Sequence, residues 1–244
     1  MFTPDKKDIP HKVAMFNLLN QILKESYLAK HLMFKGGTYA SLRGVLDRFS
    51  IDLDFDLPSK EEKDQTRVHL YKIFTKLDLQ IKDESKNYLQ FFLKYSTPSL
   101  ERNTLKLEIN DAPSKYNKYE KVKLLEINAY CNGHTIDTVV ANKLLAAKGR
   151  YDKTKKISGR DFYDINHFLK QGFKVNKKVV EDISGFTYKK YIEELIDLIQ
   201  SKLTERLLNE DLNPLLQKRD LNQKVPLLKD ELLFVLRQEV LDVC

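Results

Sequence analysis

Two neighbouring stretches decide how this chain folds: Phe34-Lys35-Gly36-Gly37-Thr38 and Arg48-Phe49-Ser50-Ile51-Asp52-Leu53-Asp54-Phe55. Adjacent glycines allow a tight turn in which backbone amides approach a phosphate. Thr38 can cap the helix that follows and donate its hydroxyl to the same anion. Gly36, Gly37 and Thr38 are therefore predicted to form a phosphate cradle.

The second stretch predicts a strand with a carboxylate-bearing face. From Ile51 to Leu57, apolar residues alternate with aspartates, so the aspartates share one side. Asp52 and Asp54 can then hold divalent metal ions through hard oxygen ligands. Asp56 lies on the same face, but two carboxylates suffice, and we expect it to be structural. A cradle followed closely by such a strand indicates nucleotidyl transfer.

The rest of the 244 residues divides into a mixed first half and a helical second half. Apolar spacing predicts an opening helix from His11 to about Leu32 and another over 67–76, with strands near 77–82, 88–95, 104–110 and 124–130. It predicts later helices near 139–147, 163–169, 177–182, 189–208 and 227–243, with Pro214 and Pro226 in the connections. We predict an α/β (α+β) domain over 1–134, a helical domain over 135–244, and an active site in the cleft between them.

Bulk composition narrows the class of protein. Lys and Arg total 42 against 35 Asp and Glu, a net charge of +7, which favours polyanions such as RNA or nucleoside triphosphates. No apolar run reaches the ~20 residues of a membrane span and no signal peptide is recognisable, so we expect a cytoplasmic protein that does not bind membranes. Neither the cysteines, Cys131 and Cys244, nor the five histidines show metal-ligand spacing.

These motifs resemble those of the AbiEii/AbiGii-type nucleotidyltransferase toxins, the MenT-like branch of the DNA polymerase β nucleotidyltransferase superfamily. The resemblance runs through most of the chain and includes three further segments: Leu105-Lys106-Leu107-Glu108-Ile109, Ala141-Asn142-Lys143-Leu144-Leu145-Ala146-Ala147 and Arg160-Asp161-Phe162-Tyr163-Asp164. It implies a polymerase β-like nucleotidyltransferase core with a helical C-terminal half.

The resemblance also implies roles for residues in the first half. Gly37 and Thr38 would contact the triphosphate, and Asp52 and Asp54 would hold Mg²⁺ or Mn²⁺. Glu108 would be a third acid that ligates metal or acts as general base, although the residues alone also allow an exposed strand glutamate beside Lys106. From their position just before the metal strand, Arg48 and Ser50 could contact phosphate or brace the cradle, or equally have a purely structural role.

In the second half, the resemblance implies that Lys143 contacts phosphate and that Asp161 is an active-site residue. From the residues alone, Lys143 could equally extend its ammonium into solvent, and Asp161 could be an ordinary acid in the first turn of a helix. Asp164 would be the structural companion of Asp161.

The implied reaction transfers a nucleoside monophosphate from an NTP to the 3′ end of tRNA, with pyrophosphate as leaving group, and blocks translation. A cognate antitoxin is the implied partner. The basic, tyrosine-containing segments 115–121 and 148–160 could hold RNA or be ordinary solvated loops. Two alternatives stay open: a protein or small-molecule acceptor, and a non-catalytic module that only binds NTP or RNA.

Overall fold

A computed structural model describes residues 8–97 and 102–241. It contains seven strands: β1 (Met33–Lys35), β2 (Asp52–Asp56), β3 (Gln80–Glu84), β4 (Leu89–Lys94), β5 (Thr104–Asn110), β6 (Tyr119–Leu124) and β7 (Ala129–His134). The helices of the first half are α1 (Ile9–Lys24), α2 (Ser26–His31), α3 (Gly36–Leu42) and α4 (Lys63–Lys76). Those of the second half are α5 (Ile136–Thr154), α6 (Gly159–Lys170), α7 (Lys177–Ser184), α8 (Tyr188–Lys202), α9 (Glu205–Leu212) and α10 (Lys218–Leu241). This mixed α/β architecture confirms the predicted fold class.

The strands form one mixed sheet in the order β3-β4-β5-β2-β1-β7-β6. Strand β2 runs parallel to β5, β1 runs parallel to β7, and the other pairs are antiparallel. The acidic strand β2 therefore lies at the centre of the sheet. Its apolar residues Leu53 and Phe55 are fully buried and pair with buried residues of the neighbouring strands, namely Leu107, Ile109 and Phe34.

The chain divides into two compact units, and the division does not follow chain order. The first comprises Met1–Pro113 and Tyr119–His134, and the second comprises Ser114–Lys118 and Thr135–Cys244. Segment Ser114–Lys118 is bonded to helices of the second unit: Ser114 donates to Asp182 over 2.7 Å, and Asn176 donates to the Tyr116 carbonyl over 3.0 Å. The predicted domains, by contrast, placed this segment in the first half.

In the described residues of the second unit, all the regular secondary structure is helical. Helix α6 packs against α5, α9 and α10 and buries Phe162, Ile165 and Phe168 completely. Among the described helices, none combines the length and the low charge that a bilayer crossing requires.

Three predicted elements differ from the structure because a local polar group breaks them. Glu25 has extended backbone and its carboxylate caps α2, so the single opening helix is wrong and becomes two. Thr204 caps α9 in the same way and splits the predicted helix 189–208. The predicted strand 124–130 spans the turn of a hairpin, where Asn128 adopts φ 47°.

Pro226 also differs from its prediction. It was expected in a connection between helices but lies inside α10, whereas Pro214 does lie between helices. The predicted start of the last helix at 227 is therefore nine residues too late, since α10 begins at Lys218.

Candidate active site

The predicted cradle begins where β1 ends and α3 starts. Gly36 has φ +80°, a conformation that costs a side-chain-bearing residue about 1 to 2 kcal/mol. A Cβ on Gly36 would overlap the Asp54 carboxylate and lie 2.9 Å from its Cγ atom. Lys35, the residue before, pairs with Asp54 across the β1–β2 ladder. Glycine at 36 therefore lets the turn lie directly against the metal-binding strand predicted from the sequence.

Gly37 lies against the two residues that were predicted to brace the cradle. Its Cβ would be 2.8 Å from Ser50 Oγ and 3.3 Å from an Arg48 guanidinium nitrogen. Arg48 is 4% exposed and donates to the Phe49 carbonyl over 2.9 Å. The structure thus brings Gly36, Gly37, Arg48, Ser50 and Asp54 into one place.

Thr38 does not cap α3. The position before the helix is Lys35, and no side chain caps it. The Thr38 hydroxyl instead donates to the Asp52 carbonyl over 2.5 Å, and the residue is 2% exposed. Its side chain therefore ties the cradle to β2, and the predicted hydroxyl contact with phosphate would require breaking this bond.

Asp52 and Asp54 share the polar face of β2 and are half-buried. Burial, together with the charges of Asp52 and Glu108, raises the pKa of Asp54 to about 6, despite the opposing effect of Lys35 and Lys106. Among the described residues, neither aspartate forms an ion pair with a lysine or arginine. Asp52 and Asp54 therefore concentrate negative charge at one place, and no lysine or arginine among the described residues pairs with them directly.

Glu108 pairs with Asp54 in the β2–β5 ladder, so its side chain is on the same face. Its carboxylate forms an ion pair with Lys106 and accepts a hydrogen bond of 3.3 Å from Gln90. Although burial acts to raise the pKa of Glu108, the bond and charge of Lys106 lower it. Glu108 is therefore near the aspartates, half-buried, and engaged by Lys106.

Asp56 is structural, as expected. It is completely buried, with Lys35 Nζ at 2.5 Å and His134 Nε2 at 2.7 Å from its carboxylate oxygens. The Tyr119 hydroxyl donates to it over 3.2 Å. Burial alone would raise the pKa of Asp56, but the His134 bond and the Lys35 charge hold it well below its usual range. This network anchors Lys35, the residue on which the cradle is built.

The second unit brings Lys143, Asp161 and Asp164 together. Lys143 Nζ lies 3.4 Å from Asp161 and 3.0 Å from Asp164, and Arg150 Nε lies 3.2 Å from Asp161. Both aspartates are at most 3% exposed. The three predicted residues thus form a charge network around two buried aspartates, and the partly exposed Arg150 joins it.

The described residues contain no group of three or more His, Cys, Asp or Glu side chains arranged to hold a metal ion. A divalent cation nevertheless fits the aspartate pair, because Mg²⁺ commonly takes only one or two carboxylates and completes its shell with water and substrate phosphates. Burial first, and then the charges of Asp52 and Glu108, raise the pKa of Asp54, and a bound cation would stabilise its ionised form. Asp52 and Asp54 are the residues that would hold such an ion.

Sequence reasoning missed three contributors to this site. Lys35 lies inside the quoted motif and its position beside the glycines was a usable signal. Lys106 was noticed only as a neighbour of Glu108. His134 was tested only for metal-ligand spacing, and its role as a buried partner of Asp56 depends on β7, which the sequence did not delimit.

Several solved structures share this fold, among them two from bacterial pathogens. The JHP933 protein of Helicobacter pylori is 20% identical, with a TM-score of 0.60 over 99% of this chain and 95% of its own. MenT4, a nucleotidyltransferase toxin of Mycobacterium tuberculosis, is 18% identical, with a TM-score of 0.53 over 94% of this chain and 82% of its own. No curated protein matches the sequence.

The family described as nucleotidyl transferase AbiEii toxin, type IV toxin–antitoxin system, matches residues 17–232. That range contains the cradle, the predicted acidic residues Asp52, Asp54 and Glu108, and the Lys143–Asp161 network. The chain therefore belongs to the AbiEii family of nucleotidyltransferase toxins.

Proposed function

We propose that this nucleotidyltransferase transfers a nucleoside monophosphate from an NTP to the 3′ hydroxyl of an RNA, specifically tRNA, and thereby blocks translation. The observation that carries the proposal is the position of Gly36 against Asp54: a glycine turn lies directly beside the Asp54 carboxylate, and Asp52 is on the same face of β2. A triphosphate at the turn would place its reactive phosphorus next to those acids.

Each part of the site has a distinct task in the proposed reaction. The amides around Gly36 and Gly37 hold the triphosphate, while Arg48 and Ser50 support the turn from the side of Gly37. Asp52 and Asp54 hold Mg²⁺ or Mn²⁺, which when bound neutralises charge on the phosphoryl groups. Glu108 can accept the proton of the attacking hydroxyl once its carboxylate is no longer paired with Lys106.

Lys143 and Asp161 are proposed as contributors from the second unit. Lys143 already bonds two aspartates, so its ammonium is oriented and largely shielded from solvent, with 14% of the side chain exposed. In the proposal, Lys143 contacts substrate phosphate, and its ion pairs with Asp161 and Asp164 position the ammonium group.

The proposed acceptor is favoured by charge. A net charge of +7 attracts polyanions, whereas it gives no advantage to a small neutral acceptor. We place the reaction in the cytoplasm, where NTP and tRNA are both available. A cognate antitoxin follows from membership of a type IV toxin–antitoxin family.

The test is incubation of the purified protein with tRNA, Mg²⁺ and labelled NTPs, followed by analysis of the RNA 3′ ends. We expect label at the 3′ end with wild type and none with Asp54→Asn. Asp83→Asn is the matched control, because Asp83 is an exposed aspartate on β3, at the edge of the same sheet, and should leave labelling unchanged.

Different outcomes separate the alternatives. Label on a protein or small molecule but not on RNA would overturn the acceptor and keep the chemistry. Absence of transfer to any acceptor, with NTP binding equal in wild type and Asp54→Asn, would favour a module that only binds.

A further inference from the structure

The hairpin of β6 and β7 carries an exposed tyrosine ring with two lysine ammonium groups over it. Tyr130 is 59% exposed, and the Nζ atoms of Lys121 and Lys123 lie 5.5 and 6.0 Å from its ring centroid. We propose that these three side chains, the edge cluster, bind unpaired nucleotides of the RNA acceptor, with a base on Tyr130 and phosphates at the two ammonium groups. The inference rests on the proposed function.

The edge cluster lies on the same face of the sheet as the acids. Lys35 pairs with Asp54, and the parallel pairing of Phe34 with Gly133 puts His134 on the Lys35 side, as its contact with Asp56 shows. Residues 130 and 134 of one strand share a face, and Lys123 pairs directly with Tyr130. The edge cluster and Asp54 are therefore on the same side of the sheet, where one RNA strand could contact both.

The separation also suits an RNA strand. Tyr130 is two strands away from Asp54 and four residues along β7, which corresponds to roughly 16 Å on an untwisted sheet. A few nucleotides of single strand can bridge that length. The edge cluster would thus hold the acceptor upstream of the nucleotide that reacts.

The electrostatics favour a polyanion. The two acids of the hairpin are engaged by cations of other elements: Glu120 pairs with Arg43 over 2.8 Å, and Glu126 pairs with Lys12. Within residues 8–97 and 102–241, Lys121 and Lys123 have no carboxylate partner. Two neighbouring positive charges beside one exposed ring match the alternation of phosphate and base in single-stranded RNA.

A protein partner fits less well. Strand β6 is an edge of the sheet and could in principle receive a strand from another protein. Lysines on an edge strand discourage such pairing, and β6 carries two exposed lysines, Lys121 and Lys123. The side chains therefore favour nucleic acid over an added strand.

The experiment measures binding of a fluorescent, unstructured RNA oligonucleotide by anisotropy, and separately the KM for RNA and for NTP. We expect Tyr130→Ala to weaken RNA binding about tenfold, because stacking is lost, and Tyr130→Phe to bind as wild type. The double variant Lys121→Gln/Lys123→Gln should weaken binding and reduce the slope of log affinity against log salt by about 1.4. The KM for NTP should not change.

The control is Lys82→Gln/Lys86→Gln, which removes the same charge from exposed lysines at the opposite edge of the sheet. Equal weakening by both double variants would overturn the proposal, because net charge alone would explain it. Unchanged binding by Tyr130→Ala and by the edge-cluster double variant would overturn it as well. The binding assay decides this even if wild type labels no RNA, which would defeat the proposed function separately.

Discussion

At the scale of single residues, Gly36 and Asp54 depend on each other. The turn can approach β2 only because position 36 has no side chain, and the Asp54 carboxylate occupies the space that a side chain would take. The same closeness leaves Asp54 poorly solvated beside Asp52, which is why its pKa is raised. At both residues, the conformation or environment that forms the site therefore lowers the stability of the folded protein.

Gly36→Ala should abolish transfer, lowering kcat/KM by about 100-fold or more, because the new methyl group displaces the Asp54 carboxylate. Gly44→Ala is a matched control: Gly44 has φ +72° but no atom within 4 Å of its Cβ position. It should cost about 1 to 2 kcal/mol of stability with activity retained. Equal loss of activity in both variants would show that backbone strain, and not the overlap with Asp54, is responsible.

Asp54→Asn should stabilise the protein in a pH-dependent way. The folded state raises the pKa of Asp54 from 3.8 to about 6, so this group contributes stability below about pH 4 that is lost as pH rises through about 6. Asparagine does not ionise and avoids that loss. Urea unfolding should show Asp54→Asn more stable than wild type by about 1 to 2 kcal/mol at pH 8 and little different at pH 4. A stability difference between Asp54→Asn and wild type that did not change with pH would contradict the raised pKa of Asp54.

At the scale of elements, β2 and its neighbour β5 were predictable, whereas its other neighbour β1 and the breaks between elements were not. The strict alternation of β2 and the spacing of β5 located both acidic strands from sequence. The break at Glu25 and the hairpin turn at Asn128 depend on single side-chain and backbone conformations inside continuous apolar patterns. Strand β1, with three residues, is too short to show a period.

In the candidate site as well, positions along the strands were predictable from the sequence, whereas side-chain contacts were not. Residues in contact along the sheet were predicted to lie near one another, and Gly36, Asp52, Asp54 and Glu108 do. The ion pairs of Glu108 with Lys106 and of Asp161 with Arg150 were not foreseen, because they depend on side-chain directions that sequence spacing does not specify.

Pro226 offers a test at the level of one helix. It is exposed and lies inside α10, where a proline removes a backbone hydrogen bond and crowds the preceding turn. Pro226→Ala should raise the free energy of unfolding by about 1 to 3 kcal/mol, seen as a higher Tm. Gln223→Ala, an exposed substitution on the same helix, should change Tm little. A lower Tm for Pro226→Ala would show that α10 is built around the proline.

At the scale of the whole molecule, family membership and net charge make a joint prediction in cells. Brief expression without antitoxin should arrest growth, and sequencing of RNA 3′ ends should show added nucleotides on tRNA. Asp54→Asn should permit growth and leave the ends unaltered, whereas Asp83→Asn should behave as wild type. Growth arrest with unaltered RNA ends would remove tRNA as the acceptor.

The path of the chain between its two units has a further consequence. Because Ser114–Lys118 belongs to the second unit while residues on both sides of it belong to the first, neither unit corresponds to one continuous stretch of gene. During translation, segment Ser114–Lys118 of the second unit is therefore synthesised before the first unit is complete. Splitting the coding sequence at residue 134 would separate Ser114 and Tyr116 from their partners Asp182 and Asn176. The C-terminal fragment would then lack part of its own unit.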